Sequence, residues 1–404
     1  MSKRSIQKHR RDFLKTGIFG IAGAAALPPF LRATSQKDPA QNKPIIYRKL
    51  GKTGIRLPVI GIGAASFDVG LYRTALDAGI THIDTSQYYY NGRHETIVGE
   101  AIKGKPRDSV IIATSILLGS GKEGRNSTMA IQDIGKLAEQ FNSSLERLGL
   151  DYVDIFYVAG VGDRETTLKD ELIGGLKQIK KTGKSRFIGV ATHQGQPEVL
   201  RAAVESKVHD VVLVSYNFRQ SIKTDIETSM KEAGQAGLGI IVMKPMAGAF
   251  WDRERTQPIN GKAALKWVLQ NENVHSTVPG ITSMEQLEDD LSVMDNLTLT
   301  EQEKIDLKLE EKNEAGGLYC QGCRTCTQDC PEDVDIPAYM RSYMYAYGYN
   351  NTFQARGLLD QIEGKKPACF TCTSCGVDCP MGLNIRERIL DINRLREVPE
   401  EFLG

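Results

Sequence analysis

Short apolar runs alternate with amphipathic stretches along the chain from Ile45 onward. The runs are rich in Val and Ile, which is typical of buried strands in a parallel sheet. In the longest amphipathic stretch, apolar residues recur every three or four positions, which indicates a helix that covers such a sheet. The strand candidates are residues 59–63, 81–85, 109–115, 153–159, 186–192, 211–217, 239–245 and 275–280. The helix candidates include residues 68–78, 128–148, 168–181, 223–235 and 261–270.

Eight strands that alternate with helices predict an α/β fold, a closed (β/α)8 TIM barrel over residues 45–312. The connections between parallel strands are right-handed, so the helices come to lie outside the ring of strands. An open, doubly wound sheet is the alternative, but no G-x-G-x-x-G motif follows the first strand candidate. A barrel occupies roughly 250 residues, which leaves the C-terminal part of this 404-residue chain for a second domain.

The overall composition is that of an ordinary globular protein. Hydrophobic residues make up 41% of the chain, charged residues make up 25%, and the formal net charge is +1. This balance of charge gives no electrostatic reason to expect a nucleic-acid partner. Beyond the N-terminal segment, no apolar run reaches the roughly 20 residues that a membrane span requires.

The N-terminal segment has a different pattern. Basic residues precede an uncharged, Gly- and Ala-rich stretch at residues 16–31, and Arg10 and Arg11 open the sequence RRDFLK. This arrangement resembles a twin-arginine export signal. We therefore predict a signal peptide over residues 1–33, a polar linker over residues 34–44, a periplasmic location, and membrane contact only during export. An amphipathic or disordered arm is the alternative.

All eight cysteines lie near the C-terminus, in two runs with identical spacing. Each run reads C-x2-C-x2-C-x3-C-P, the bacterial ferredoxin spacing, in which three cysteines hold one cluster and the fourth holds the other. The pattern predicts a small ferredoxin-like iron-sulfur domain over residues 313–404 with two [4Fe-4S] clusters. The predicted ligand sets are Cys320, Cys323, Cys326 and Cys379 for the first cluster, and Cys369, Cys372, Cys375 and Cys330 for the second.

Structural zinc sites and a disulfide framework are the alternatives for eight cysteines. Zinc favours tetrahedral sites built from C-x2-C pairs, and exported chains ordinarily use cysteines in disulfides. Neither alternative explains a third cysteine and a following proline in both runs, so the spacing favours clusters. Export of the folded protein also suits clusters that are inserted before the membrane is crossed.

Several segments resemble the aldo/keto reductase family. They are IIYRKLGKTGIRLPVIGIG, GITHIDTSQYYYNGRHETIVGEAI, SSLERLGLDYVDIFYV, RFIGVATHQG, VSYN, IIVMKPMAG and VPGITSMEQLEDDL. The resemblance implies an oxidoreductase that transfers a hydride from a nicotinamide cofactor to an aldehyde or ketone, with its site at the C-terminal ends of the barrel strands. With the cysteine-rich end added, the chain is similar to the exported, iron-sulfur-bearing branch of that superfamily.

The resemblance assigns two catalytic positions and leaves two others altered. Asp84 matches the family aspartate, and Tyr89 matches the tyrosine that protonates the substrate oxygen. Ser115 stands where the family has its lysine, and Ala159 stands where it has its histidine. A tyrosine with a pKa near 10 needs a nearby cation to ease proton transfer, so the family mechanism must be modified here.

His193 and Lys244 also follow strand candidates, at the same face of the predicted barrel. We therefore predict that one of them supplies the positive charge that the altered positions lack. A structural or surface role is the alternative for each side chain.

The resemblance implies contacts to NAD(P) at Asn217, Pro279 and Gly280. Residues 191–192 lack the Ser-Asn pair that holds the nicotinamide carboxamide in the family. The segment over residues 278–290 carries four acids and no Lys or Arg, although a 2'-phosphate would need cations there. The resemblance thus makes NAD(P) a candidate cofactor, and these departures from the family pattern argue against its binding.

Three functions remain open from the sequence. The first is an oxidoreductase acting on a carbonyl or sugar-like small molecule, with clusters that relay electrons to or from a redox partner protein. The second is an electron-transfer or binding protein whose barrel has lost catalysis, and the third is a zinc-stapled binding protein.

Overall fold

The structure is a computed structural model that describes residues 45–119, 130–131, 133–309, 317–332, 334–360, 362, 368–373 and 375–403. The predicted signal peptide and linker therefore lie outside the described residues. Within these ranges, no helix has both the length and the apolar character that crossing a membrane requires.

Strands and helices alternate as the apolar pattern predicts, and the predicted helix over residues 223–235 matches α7 at both ends. The predicted helix over residues 128–148 is wrong in its first part, because residues 130–131 pair with β4 as a strand and α3 begins only at Leu137. The described strands are β1 Tyr47–Lys49, β2 Arg56–Pro58, β3 His82–Asp84, β4 Ile111–Leu118, β5 Ala130–Ile131, β6 Val153–Ala159, β7 Ser185–Thr192, β8 Val211–Ser215, β9 Gly239–Met243 and β10 Ser276–Thr277. The described α-helices are α1 Val69–Asp77, α2 Arg93–Ile102, α3 Leu137–Leu148, α4 Arg164–Thr167, α5 Asp170–Lys181, α6 Gln196–Ser206, α7 Lys223–Gln235, α8 Gly261–Leu269, α9 Met284–Val293, α10 Glu301–Asp306, α11 Thr325–Gln328, α12 Ile336–Tyr347, α13 Thr352–Leu359 and α14 Ile385–Ile392.

The parallel strands form a closed ring. Their order is β10-β9-β8-β7-β6-β4-β3, and β5 adds a short pairing to β4. The first predicted strand, residues 59–63, closes the ring through single bridges: Ile62 pairs with Ile83 of β3, and Ile60 pairs with Thr277 of β10. The predicted (β/α)8 barrel is therefore confirmed, with the closing strand held by isolated bridges.

The interior of the barrel is filled by alternate residues of its strands. In β6, Ile155 and Tyr157 point inward, whereas Phe156 and Val158 face the helical layer. Below them, the antiparallel β1–β2 hairpin closes the bottom of the ring with buried leucine side chains. The hairpin turn contacts the barrel so closely at Gly51 that an added Cβ would lie 2.6 Å from the backbone nitrogen of Gly239.

The helices cover the outside of the ring with apolar faces, as α3 illustrates. Its buried residues Leu137, Phe141, Leu145 and Leu148 recur at spacings of three and four, so one stripe of the helix packs against the sheet. Gly149 ends α3 in the left-handed conformation, with a φ of 64°, a backbone state that glycine adopts without steric cost.

The C-terminal part, residues 317–403, packs against the barrel. Its helix α12 contacts both α13 and α14. Their core includes Tyr339 and Tyr343 of α12, and it continues into the barrel through Phe218 and Ile259. The cysteine-bearing segment is thus fixed to the barrel through a shared hydrophobic core.

Candidate functional site

The structure brings the cysteines together in the two sets that the crossover pattern predicts. Cys330 lines one pocket together with Cys369, Cys372 and Cys375. In the other set, Cys320 has Cys323, Cys326 and Cys379 as its electrostatic neighbours. The fourth cysteine of each run therefore joins the other run.

The chemistry of these donor sets fits iron-sulfur clusters. All eight cysteines are free thiols. Burial, together with the neighbouring cysteines, raises the pKa of Cys320 to about 12 and that of Cys326 to about 11. Thiols crowded in this way stay protonated unless a cation compensates their charge, and the iron of a cluster supplies that compensation. No three His, Cys, Asp or Glu side chains of the described residues are grouped tightly enough for a single metal ion.

Helix α14 places one arginine beside each cysteine set. Arg388 is an electrostatic neighbour of Cys320 and Cys379 in the first set. Arg386 lines the pocket of the second set, and its guanidinium donates to the carbonyl oxygen of Cys372 at 3.1 Å. The short C-terminal helix thus contributes positive charge at both sites.

The C-terminal residues cover the mouth of the barrel, at the ends of β7, β8 and β9. The Tyr319 hydroxyl lies 3.4 Å from Oγ of Ser215 at the end of β8. Two residues on, Oε1 of Gln321 accepts hydrogen bonds from the backbone nitrogen and Oγ of Ser221, at 2.8 and 2.9 Å. The first cysteine is therefore held directly over the C-terminal ends of the strands.

Helix α12 and the residues that follow it hold Lys244, which comes just after β9. The Lys244 Nζ lies 4.6 Å from the ring centre of Tyr345 and 5.6 Å from that of Tyr349. Tyr349 in turn accepts a hydrogen bond from the backbone nitrogen of Gly248 at 3.3 Å. The lysine ammonium is thus placed by aromatic faces that belong to the C-terminal part.

A small cavity remains between the barrel and the C-terminal part. The barrel contributes His193, Ser215 and Lys244 to its lining, and the C-terminal part contributes Tyr319, Cys320 and Arg341. One small space is therefore bordered by two cations, a histidine and a cysteine of the first set.

The four predicted catalytic residues fall into two groups. Asp84 and Tyr89 are electrostatic neighbours on one side of the barrel mouth, while His193 and Lys244 line the cavity. Tyr345 is a neighbour of both Tyr89 and Lys244. The C-terminal part thus inserts an aromatic side chain next to both groups.

Asp84 and Tyr89 occupy an apolar environment. Burial raises the pKa of Asp84 to about 8. Burial, Tyr345 and Asp84 raise the pKa of Tyr89 well above its usual value. Asp84 also influences the buried hydroxyl of Tyr157, whose pKa is raised first by burial and then by that carboxylate. Asp84 and Tyr89 are therefore held in their protonated, uncharged forms near neutral pH.

His193 and Lys244 have a more polar environment. Burial, Arg341 and Lys244 together lower the pKa of His193 well below its usual value, so the imidazole is neutral at pH 7. Its Nε2 is buried and has no hydrogen-bond partner among the described residues. Lys244 itself has a φ of 63°, a left-handed conformation that is unusual outside glycine and that clusters at functional sites.

Several residues of this site are not indicated by the sequence pattern. In the sequence, Tyr157 has the pattern of a buried strand residue. Arg341 and Tyr345 lie in a segment for which the sequence pattern predicted only a helix with an apolar face. Tyr319 precedes the first cysteine directly, but nothing in that position indicates contact with the barrel. Tyr157 reaches the site from the barrel interior, whereas Tyr319, Arg341 and Tyr345 join it only because the C-terminal part packs over the mouth.

Comparison with protein families matches residues 64–263 to the aldo/keto reductase family and residues 319–395 to the 4Fe-4S dicluster domain. The barrel is an aldo/keto reductase domain. A 4Fe-4S dicluster domain follows it, so the chain joins the barrel of an oxidoreductase family to a ferredoxin-type domain.

Known proteins resemble the barrel portion. L-galactose dehydrogenase of Arabidopsis thaliana is 28% identical over 315 residues, which span 65% of this chain and 94% of that protein. L-glyceraldehyde 3-phosphate reductase of Escherichia coli O157:H7 is 26% identical over 324 residues, spanning 64% and 90%. The solved structure of an aldo-keto reductase from Bacillus halodurans, in its holo form, matches with a TM-score of 0.52 at 21% identity, covering 67% of this chain and 97% of that one. The last comparison supports the fold.

The residues of this aldo/keto reductase domain that were predicted to hold NAD(P) are otherwise engaged. The Asn217 side chain donates to the carbonyl oxygen of Lys244 at 3.2 Å and accepts from the backbone nitrogen of Arg219 at 3.1 Å. Pro279 and Gly280 pair with Gly63 where the ring closes.

The space at the mouth also argues against a dinucleotide. Tyr319 and Cys320 border it from above. The paired side chain of Asn217 and the position of Tyr319 argue against a nicotinamide dinucleotide at these residues.

Proposed function

We propose that this protein is an oxidoreductase in which a small carbonyl or sugar-like molecule exchanges electrons with the first cluster. The molecule would bind in the mouth cavity, the space that His193, Lys244 and Cys320 line. One observation carries the proposal: Cys320, a predicted ligand of that cluster, lines the same cavity as His193 and Lys244. Electron transfer favours short distances, and here the substrate would lie directly beside a cluster ligand.

The electron count agrees with two clusters. Conversion of a carbonyl to an alcohol requires two electrons and two protons, and two [4Fe-4S] clusters, when bound, supply one electron each. A one-electron carrier protein of low potential would reduce the clusters again. In the reverse direction, the protein would oxidise an alcohol to a carbonyl compound and pass two electrons to the carrier protein.

The side chains of the cavity would manage charge and protons. The ammonium of Lys244 stabilises negative charge as it develops on the substrate oxygen. The same ammonium can also donate the proton that forms the hydroxyl group, which solvent then replaces, and solvent supplies the second proton, at the carbon atom. Neutral His193 can accept a hydrogen bond at Nε2 or donate one there, depending on its tautomer. Asp84 and Tyr89 stay protonated and shape the neighbouring wall.

A second function is supported by the other side of the mouth. Ser115 replaces the family lysine, and Tyr345 is the largest electrostatic influence on Tyr89 after burial. These features favour an electron-transfer or binding protein in which the inherited reductase chemistry is lost. The two functions differ in whether a small molecule can oxidise the reduced protein.

The test uses full-length protein purified without oxygen. Iron, acid-labile sulfide and low-temperature EPR spectra first establish the number of clusters. The protein is then reduced with methyl viologen radical and mixed with aldehydes, ketones and sugars, while EPR follows reoxidation. We expect at least one compound to reoxidise the clusters, and we expect Lys244→Met to slow this step by about 10²- to 10⁴-fold.

The matched control is Lys262→Met, because Lys262 forms an exposed ion pair with Asp289 at 3.0 Å on the outer layer. This variant should react like wild type. If no compound reoxidises the protein, or if Lys244→Met reacts as fast as Lys262→Met, the barrel is a scaffold and the proposed chemistry is wrong. Release of bound NAD(P) when the protein is denatured would contradict the proposal that the clusters supply the electrons.

We also propose that the chain is exported to the periplasm through its twin-arginine segment. Arg10 and Arg11 carry this proposal. Replacement of both by lysine should leave the protein, with its clusters, in the cytoplasmic fraction. Unchanged fractionation would exclude this export route.

A further inference from the structure

We infer that the mouth cavity binds an oxyanion group of the substrate, a carboxylate or a phosphate, between Lys244 of the barrel and Arg341 of α12. This inference rests on the proposed function and specifies its substrate class. The site is composite, because one cation comes from each domain.

The first argument is uncompensated charge. Lys244 and Arg341 both line the cavity. Among the described residues, neither forms an ion pair with a carboxylate, although many other cations of the chain do. Two partly buried cations that share a small space repel each other, so an anion between them would be stabilised by both.

The second argument is the remaining polar chemistry of the cavity. His193 contributes its buried, unpartnered Nε2, and Ser215 contributes a hydroxyl group. Both can donate hydrogen bonds to an oxyanion. The low pKa of His193 follows partly from the proximity of Lys244 and Arg341, which supports the convergence of these three side chains.

The third argument is how firmly Lys244 is positioned. Its backbone has a left-handed φ of 63° and its ammonium lies beside the rings of Tyr345 and Tyr349, while the residue lines the cavity. A surface lysine needs neither feature. Strained backbone that the surrounding packing maintains is typical of ligand-binding positions.

The placement of the two cations has a structural consequence. Arg341 lies on the helix that also carries Tyr345, and Cys320 lies between the two domains. An anion held by both cations would therefore connect the barrel to the iron-sulfur domain. It would also place the rest of the substrate beside the ligand of the first cluster.

The experiment compares three probes of the same carbon skeleton: glycerate, glycerol 3-phosphate and glycerol. Calorimetric titration into full-length, cluster-loaded protein should show binding of one or both anions and none of glycerol. A preference for glycerate identifies a carboxylate site, and a preference for glycerol 3-phosphate identifies a phosphate site. The bound anion should also alter the EPR spectrum of the reduced first cluster, since Cys320 borders the cavity.

Variants separate the proposed clamp from general surface charge. Arg341→Gln should weaken anion binding about 10- to 100-fold, the usual effect of losing one charge-assisted hydrogen bond, and Arg341→Lys should restore part of it. Arg394→Gln is the matched control, because Arg394 is 81% exposed near the C-terminus. Equal binding of glycerol and the anions, or unchanged affinity of Arg341→Gln, would overturn the inference.

The outcomes also distinguish this inference from the proposed function. Anion binding that perturbs the EPR signal, with no compound able to reoxidise the clusters, would support the anion site and reject the chemistry. Reoxidation by neutral carbonyl compounds without any anion preference would support the chemistry and reject the anion site.

Discussion

The contact between Gly348 and the barrel offers a direct test of how the iron-sulfur domain sits on the mouth. Gly348 follows α12, and its backbone lies against the loop after β9. An added Cβ would lie 2.7 Å from the carbonyl oxygen of Met344 and still closer to that of Gly248. Both neighbours are backbone atoms, so neither can rotate away as a side chain would. We expect Gly348→Ala to push α12 away from the barrel.

The magnitude follows from the size of the overlap. Ordinary contact begins near 3.4 Å, and the Gly248 carbonyl oxygen of the barrel would lie inside that limit by more than about 0.7 Å, so α12 must shift by at least about that distance. Overpacking of this kind lowers the free energy of unfolding by about 1–3 kcal/mol. Alanine restricts the unfolded chain more than glycine does, which offsets about 0.4–1 kcal/mol of that loss. The net loss is about 1–2 kcal/mol, which lowers Tm by roughly 1–3 °C in a chain of 404 residues, because the unfolding entropy is about 2.1 cal/mol/K per residue.

The assay is calorimetric unfolding of the cluster-loaded protein, together with hydrogen exchange of α12. Gly357→Ala is the matched control, because it lies within α13 and an added Cβ there would meet no atom within 4 Å. The control should melt at or slightly above the wild-type temperature. Gly348→Ala should also slow substrate-driven reoxidation of the clusters. A Gly348→Ala variant that melts like the control, with unchanged exchange in α12, would refute the described docking.

The remaining predictions concern the clusters and the buried acid. Cys330→Ser should abolish the EPR signal of the second cluster and Cys379→Ser that of the first; loss of the opposite signal in each variant would contradict the crossover. Arg388→Gln should lower the reduction potential of the first cluster by tens of millivolts, on the order of 1 kcal/mol, because reduction adds negative charge beside this guanidinium. The measurement is an EPR redox titration, in which the control Arg394→Gln should show no such shift. Equal potentials for the two variants would count against this electrostatic effect. The pKa of Asp84 rises from 3.8 to about 8 on folding, so between these pH values only the unfolded state releases the proton and stability falls as pH increases. Asp84→Asn should therefore melt above wild type at pH 8, with a difference that shrinks toward pH 4, and a difference that grows toward pH 4 would contradict the sign.

The sequence by itself determined the elements and the ligand sets. Strand and helix periods are local properties, so the barrel could be predicted from the apolar pattern, although the closing strand at residues 59–63 forms only isolated bridges. The spacing of the cysteines likewise restricts which thiols can meet. Cys330 joins Cys369 in the structure, as the pattern predicts, because a fixed spacing leaves the chain few ways to surround one cluster.

Only the tertiary structure decided what covers the mouth of the barrel. The period of α12 shows that the helix has an apolar face, but it does not show which surface that face meets. The packing brings Tyr345 beside Tyr89 and Arg341 beside Lys244, across long stretches of chain. It also places Tyr345 next to Tyr89 and Lys244, two of the four predicted catalytic residues. Such contacts depend on how two complete surfaces fit together, and no local pattern of residues encodes that fit.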